Sequence, residues 1–171
     1  DVSQNIHCGY GLNDWEPLKK LFLPDGKSGL CILKKSYRNT IEISEFAAQI
    51  LRHGSFAIYP AGPVCRHGHP VCIRECLGEA QMLLETEALL RQWLQEGRET
   101  LAVICGDDEE AAMVRRRLGA SMTLADSDPE SAGFTQGIMV LSVTYTKGLE
   151  FDGVVIYHPS RNRYPSDDAS V

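Results

Sequence analysis

Residues 138–156 read IMVLSVTYTKGLEFDGVVI, so two short apolar runs flank a polar turn. The runs 138–141 and 154–156 are continuous rather than alternating, which is typical of strands that are covered on both faces in a parallel sheet. Lys147 and Glu150 lie on the connection between these two predicted strands. Ligands bind where connections leave the carboxyl ends of parallel strands, and the glycine between the two charged residues lets backbone approach a ligand closely. The turn is therefore a candidate site, and an ordinary loop with a solvated charge pair is the alternative.

The rest of the sequence alternates predicted helices with predicted strands. Helices are recognised by apolar stripes and capping residues, and strands by short apolar runs. The predicted helices cover 14–22, the segment between Thr40 and Gly54, 79–96 and 107–118, and the predicted strands cover 30–33, 71–76, 101–105 and 121–125. This alternation predicts right-handed βαβ crossovers. We therefore expect an α/β fold with a parallel sheet and helices on both faces, in a three-layer αβα arrangement.

Length and charge restrict the class of protein. The chain has 171 residues, of which 43% are hydrophobic, and this fits a single domain with its own core. Its net charge of -6 offers no broad basic face for nucleic acid, so any contact with a strand must be local. No apolar run approaches the length of a membrane span and no leader opens the chain. We expect a cytoplasmic protein that does not interact with membranes.

Five metal-capable side chains are close together in the sequence: Cys65, His67, His69, Cys72 and Cys76. Their spacing does not fit a zinc ribbon or a zinc finger. A strand at 71–76 would also direct alternate side chains to opposite faces. The sequence predicts reduced thiols and no metal site.

Three segments resemble motifs of superfamily 1 helicases of the UvrD and Rep type. The segment 144–152, TYTKGLEFD, resembles motif V; the segment 1–6, DVSQNI, resembles the second half of motif III; and the segment 35–40, KSYRNT, resembles motif IV. The residues of these segments most resemble those of the HelD or helicase IV branch. The resemblance implies a RecA-like C-terminal motor domain, called 2A, that spans 1–171 as a fragment of a longer chain and ends in a polar tail at 160–171.

The resemblance also implies roles in ATP hydrolysis. Arg38 is expected to reach the γ-phosphate as an arginine finger, and Tyr37 is expected to stack on the adenine. Gln4 would form a hydrogen bond with the γ-phosphate or with the attacking water. The chain has no GxxxxGK[ST] motif, since Leu21 stands where the first glycine before Gly26 is required. The phosphate-binding loop and the Mg²⁺ ligands for the expected ATP cofactor must therefore come from the preceding P-loop motor domain of the same chain.

Motif V implies further contacts. Glu150 would accept a hydrogen bond from a ribose hydroxyl, Gly148 would permit the close approach, and Lys147 would lie near phosphate. In the family the residues just before this lysine touch the backbone of a single DNA strand. Thr144 and Tyr145 occupy those positions here.

One departure from the family keeps other functions open. The aromatic residue that stacks on a base after motif III is displaced, and Tyr10 is the candidate to replace it. There is also no room for the accessory domain that UvrD and Rep insert between motifs IV and V. We therefore retain three hypotheses: a motor domain of an ATP-dependent DNA helicase, a HelD-like ATPase that remodels or recycles RNA polymerase, and a non-catalytic interaction domain. A P-loop motif upstream in the parent gene would exclude the third.

Overall fold

The computed structural model describes residues 20–21, 35–52, 62–63, 66–126 and 136–160. By internal contacts the chain divides into two compact units, one made of Asp1–Ile73 with Ser166–Val171 and the other of Arg74–Pro165. Residues 20 and 21 are helical, as expected within the predicted helix 14–22. The rest of that helix and the predicted strand 30–33 lie outside the described residues.

The first unit contains one described helix and a short strand pair. Strand β1 (Lys35–Ser36) pairs in parallel with β2 (Gly62–Pro63), and helix α1 spans Ile41–Leu51. The side chain of Thr40 accepts a hydrogen bond from the amide of Ile43 at 3.5 Å, which confirms the predicted N-cap. None of the residues of α1 is buried, although its sequence carries an apolar stripe.

The second unit contains a parallel sheet with two helices. Its elements are α2 (Glu79–Gln95), β3 (Thr100–Cys105), α3 (Asp108–Gly119), β4 (Gly137–Ser142) and β5 (Gly153–Ile156). The strand order is β4-β3-β5, and both pairings are parallel. The α/β class and the parallel sheet are therefore confirmed.

The core of this unit forms where α2 and α3 pack on the same face of the sheet. Alternate residues of β3 point to this face, together with the apolar residues of both helices. The buried cluster consists of Leu90, Leu101, Val103, Cys105, Ala111, Val114, Leu118, Ile138, Val140 and Tyr157. Ala102, Met139 and Leu141, which point the other way, are also buried. Burial on both faces explains why β3 and β4 read as continuous apolar runs, whereas Val154 and Ile156 of β5 are exposed.

Two predicted strands are wrong. Residues 71–76 form no strand with any described residue, and all except Cys76 are exposed. Without a buried face or a partner, their β-branched residues do not make a strand. Residues 121–125 form no strand: the amides of Ser121 and Met122 both donate to the carbonyl of Leu118 at the end of α3, and the amide of Ala125 donates to the carbonyl of Ile138 at 2.8 Å. In the described part of the chain, no helix has both the length and the apolar character needed to cross a membrane.

Candidate functional site

The candidate loop, residues 143–152, connects β4 to β5. The loop starts at the carboxyl end of β4 and finishes at the amino end of β5, so it runs from one end of the parallel strands to the other. The strand β3 lies between β4 and β5 in the sheet. The loop opens with a 3-10 turn at Val143–Tyr145. The hydroxyl of Thr146 donates to the carbonyl of Val143 at 2.7 Å, and the hydroxyls of Ser142 and Thr144 are 2.6 Å apart. These bonds fix the near end of the loop against β4.

The middle of the loop carries the residues that are expected, from the resemblance to motif V, to contact a nucleotide: Lys147, Gly148 and Glu150. Gly148 has a φ of +88°, which is the left-handed region that side chains rarely adopt. A Cβ at this position would meet no atom of the described residues within 4 Å, so the backbone conformation and not crowding requires the glycine. Lys147 and Glu150 are exposed on either side of it. The open surface around this glycine lets a ligand reach the loop backbone.

The far end of the loop is tied to the start of β3 by Asp152. Its Oδ2 atom accepts hydrogen bonds from the amide of Thr100 at 2.9 Å, the hydroxyl of Thr100 at 2.9 Å and the amide of Glu99 at 3.1 Å. The hydrogen bonds from Thr100, followed by that from Glu99, lower the pKa of Asp152 below its ordinary value. Arg98 donates to the Asp152 carbonyl at 2.9 Å, and its guanidinium lies 5.1 Å from the centroid of the Trp93 ring.

Gly153 makes this junction possible. A Cβ there would lie 2.6 Å from Cε3 of Trp93 and 2.9 Å from Cδ2 of Leu101. The glycine therefore lets the indole of α2 rest against the first residue of β5. The candidate loop is held at both ends, with its exposed residues between the two attachments.

A second group of polar side chains lies at the carboxyl edge of the sheet. Asp107 accepts a hydrogen bond from the Glu110 amide at 2.7 Å and so caps α3. The buried carboxylate of Glu110 accepts from the amide of Gly106 at 2.9 Å and also contacts Nδ1 of His158 at 3.3 Å. His158 has a φ of +48°, which is unusual for a residue with a side chain. Sequence reasoning missed this contact, because the two residues are 48 positions apart.

Two hydroxyl groups are buried close to this edge. No hydrogen-bond partner is found for Oη of Tyr157 or Oγ of Ser160 within the described part of the structure. Burial, followed by the negative charges of Glu79 and Glu110, raises the pKa of Tyr157 to about 12. The phenol therefore stays protonated at neutral pH.

The other predicted site residues are distributed as follows. Tyr37 and Arg38 lie in a bend just before the Thr40 cap, and both are exposed. They belong to the first unit. The other predicted residues lie together on loop 143–152 of the second unit: Thr144, Tyr145, Lys147, Gly148 and Glu150. Gln4 and Tyr10 lie outside the described residues.

The cysteine and histidine segment does not gather into a metal site where it is described. Across residues 66–126 and the other described ranges, no group of three His, Cys, Asp or Glu residues is placed to hold a metal ion. Cys72 is exposed and Cys105 is buried. Cys65 lies outside the described residues.

Comparison with known proteins gives no assignment. No protein-family model matches the sequence, and no curated protein matches it significantly. Function must therefore be argued from the residues and their geometry.

Proposed function

We propose that this chain is the second, RecA-like motor domain of an ATP-dependent DNA helicase of the UvrD type. The observation that supports this best is the geometry of loop 143–152, which is attached at both ends and has a left-handed glycine at its exposed centre. A loop of this kind holds its backbone and adjacent side chains in one arrangement, as recognition of a nucleotide requires. The position of this loop between two parallel strands also agrees with the KGLEFD resemblance.

In this proposal the loop contacts the nucleotide through three residues. Glu150 accepts a hydrogen bond from a ribose hydroxyl, Gly148 permits the close approach, and Lys147 lies near phosphate. Asp152 does not contact the ligand, because its Oδ2 atom already accepts three hydrogen bonds from β3 and the residue before it. Thr144 and Tyr145 are the proposed contacts to a DNA strand.

Arg38 carries the proposed chemistry. A guanidinium binds phosphate oxygens in a bidentate manner and remains charged in any setting, so Arg38 is suited to stabilise charge on the transferred phosphoryl group. Tyr37 stacks on the adenine, and Gln4 forms a hydrogen bond with the γ-phosphate or the attacking water. ATP with Mg²⁺ is the proposed cofactor, and its P-loop and metal ligands belong to the preceding motor domain of the same cytoplasmic protein.

The test is ATP turnover by the full-length protein. Arg38→Ala should lower turnover by about 10³-fold or more, with a much smaller effect on ATP affinity. Arg52→Ala is the matched control, because Arg52 is an exposed arginine at the other end of α1 and has no proposed role. Equal losses of affinity and turnover would assign Arg38 to ground-state binding. ATP hydrolysis by the 171-residue chain alone, abolished by Arg38→Ala, would contradict the need for a partner domain.

A second candidate function is favoured by the charge at the carboxyl edge of the sheet. The N-cap and first turn of α3, which follow β3, carry four consecutive carboxylates, at positions 107–110. The neighbouring strand β4 leads to Thr144. The carboxyl ends of β3 and β4 are paired at Cys105 and Ser142. Carboxylates at this edge repel the phosphates of a DNA strand bound at Thr144. This observation supports a HelD-like ATPase whose main contact is RNA polymerase.

Salt and partner dependence separate the two candidates. A strand translocase is stimulated many-fold by single-stranded DNA, and that stimulation falls steeply between roughly 50 and 200 mM salt. The HelD-like function instead predicts weak stimulation of the full-length ATPase and a measurable complex with RNA polymerase. Strong stimulation with strand unwinding and no polymerase complex would leave the helicase as the single candidate. The double substitution Asp108→Asn and Glu109→Gln removes two of the four negative charges. If these charges oppose DNA binding, the variant's ATPase should be stimulated more strongly by DNA.

A further inference from the structure

The exposed part of the candidate loop is built from two consecutive tight turns. The amide of Thr146 donates to the carbonyl of Val143 at 3.2 Å, and the amide of Leu149 donates to the carbonyl of Thr146 at 3.1 Å. Gly148 is the third residue of the second turn, and its φ of +88° fits a type II turn, which requires a positive φ at this position. The two turns therefore hold the exposed Lys147 and Gly148 in a fixed arrangement.

A short connection separates these turns from the next fixed point of the loop. Glu150 and Phe151 lie between Leu149 and Asp152, so the Cα atoms of Leu149 and Asp152 are at most about 11 Å apart. The side chain of Asp152 is bonded to the beginning of β3. A shift of Asp152 would thus reach the two turns through a connection of only two residues.

Arg98 holds the backbone of Asp152 from the end of α2. Its Nη1 atom donates to the Asp152 carbonyl at 2.9 Å. The Nε and Nη2 atoms both donate to Oε2 of Glu96 at 3.4 Å, and the guanidinium lies 5.1 Å from the centroid of the Trp93 ring. The side chain of Arg98 is only 26% exposed. These contacts fix the guanidinium in the position from which it holds the carbonyl.

The backbone at the end of α2 brings Arg98 to this position. Gly97 has a φ of +83°, and its amide donates to the carbonyl of Leu94 at 3.1 Å. The amide of Arg98 donates to the carbonyl of Trp93 at 3.0 Å. This pair of hydrogen bonds is a Schellman motif, which ends a helix in a defined geometry. The contact between Arg98 and the Trp93 ring is therefore supported by the backbone as well as by the side chains.

We propose that Arg98 is a positioning residue for nucleotide binding, which acts through the Asp152 carbonyl on the two turns of the candidate loop. This inference rests on the proposed function, because it assumes that Lys147 and Gly148 in these turns bind the nucleotide. Arg98 itself does not contact the ligand, since its guanidinium is engaged by Asp152 and Glu96. Its role is to keep the binding arrangement ready, which lowers the cost of ordering the loop when the ligand binds.

The first test is ATP hydrolysis by the full-length protein. Arg98→Ala should raise the KM for ATP by about threefold to tenfold, because the ligand must then order the loop itself. The kcat should stay within about twofold of the unaltered protein, because Arg98 does not touch the reacting groups. Arg98→Lys keeps a donor for the Asp152 carbonyl and should recover part of the affinity. A fall in kcat at constant KM would overturn the proposal.

Arg91→Ala is the matched control. Arg91 also extends from α2 and donates to a distant backbone carbonyl, that of Ser121 at 2.7 Å, but this carbonyl does not belong to the candidate loop. The substitution should lower the free energy of unfolding without changing the KM for ATP. Equal increases in KM for Arg91→Ala and Arg98→Ala would show a general loss of stability and would overturn the proposal.

The second test requires no nucleotide. In the 171-residue chain, the amide NMR signals of Lys147, Gly148 and Leu149 should shift in Arg98→Ala and stay in place in Arg91→Ala. Unchanged signals in Arg98→Ala would overturn the positioning role of Arg98 and leave the proposed function intact.

Gly148→Ala in the full-length protein distinguishes the two kinds of failure. If this variant weakens ATP binding and Arg98→Ala does not, the loop binds the nucleotide and only the role of Arg98 is wrong. If Gly148→Ala binds ATP normally, the proposed contact of the loop is wrong and the inference about Arg98 fails with it.

Discussion

The carboxylate of Asp152 accepts hydrogen bonds from both the amide and the hydroxyl of Thr100, each at 2.9 Å. The amide of Asp152 in turn donates to the carbonyl of Thr100 at 2.8 Å. This reciprocal pair joins the end of loop 143–152 to the beginning of β3. The final residue of the KGLEFD segment therefore has a structural role, whereas Lys147 and Gly148 earlier in the segment are exposed.

Removal of the Asp152 side chain should destabilise the protein. Asp152→Ala takes the acceptor from three hydrogen bonds, so we expect the free energy of unfolding to fall by about 1 to 2 kcal/mol. Asp152→Asn keeps one oxygen and should cost less. Urea unfolding of the 171-residue chain measures both, with Glu75→Gln as the control, because Glu75 is an exposed carboxylate of the same unit. If Asp152→Ala were as stable as Glu75→Gln, the attachment of the loop to β3 would have no energetic importance.

Gly148→Ala tests the left-handed backbone at the centre of the loop. Alanine at a φ of +88° is strained, and we expect a loss of about 1 to 3 kcal/mol in unfolding free energy or a local change in the loop. Gly119→Ala is the matched control, since Gly119 is helical and its nearest neighbour would lie at 3.7 Å. That substitution should be neutral or slightly stabilising. In the full-length protein Gly148→Ala should also weaken ATP binding, and unchanged binding would count against the proposed contact.

Gly153→Ala should destabilise by crowding. The new methyl group would lie 2.6 Å from the Trp93 ring, and overpacking of this kind costs about 1 to 3 kcal/mol. Trp93→Leu removes the ring that is contacted, so the double substitution should be less destabilising than the sum of the two single ones. Thermal or urea unfolding of the four proteins gives the coupling energy. Simple additivity would show that the glycine is not required by the indole.

The contact between Glu42 and His67 predicts a pH dependence. The hydrogen bond from His67, followed by backbone amides, lowers the pKa of Glu42 from 4.5 to about 2. A carboxyl with a lowered pKa stabilises the folded state above its unfolded pKa, and this contribution is lost as the pH falls from about 4.5 toward 2. A carboxyl-carbon NMR titration should place the Glu42 midpoint near 2 in the folded chain. The midpoint should rise in His67→Ala, and an ordinary midpoint in the unaltered chain would contradict the contact.

The sequence predicted the elements whose stability is local or whose strands are covered on both sides. The runs at 101–105 and 138–141 are strands with buried residues on both faces, and the run at 154–156 is a strand although Val154 and Ile156 are exposed. Each run could be recognised from its own apolar residues. The cap at Asp107 was also predictable, because its partner Glu110 is only three residues away. These predictions use information within one element or one turn.

The sequence could not predict contacts between distant positions. The hydrogen bonds from Thr100 to Asp152 span 52 residues, and the contact between Glu42 and His67 spans 25. Nothing in the local pattern of either segment indicates its partner. The strand predicted at 71–76 failed for the same reason, because β propensity does not reveal whether a neighbouring strand is present.

The position of Trp93 has a practical consequence. The chain contains two tryptophans, Trp15 and Trp93, and the second contacts both the first residue of β5 and the guanidinium of Arg98. Indole emission responds to nearby charge and packing, so a Trp15→Phe protein would report on this junction through one intrinsic fluorophore. Undocking of the loop end from β3 would change the emission without any attached dye. Movement of this loop end thereby becomes measurable in real time by stopped-flow fluorescence.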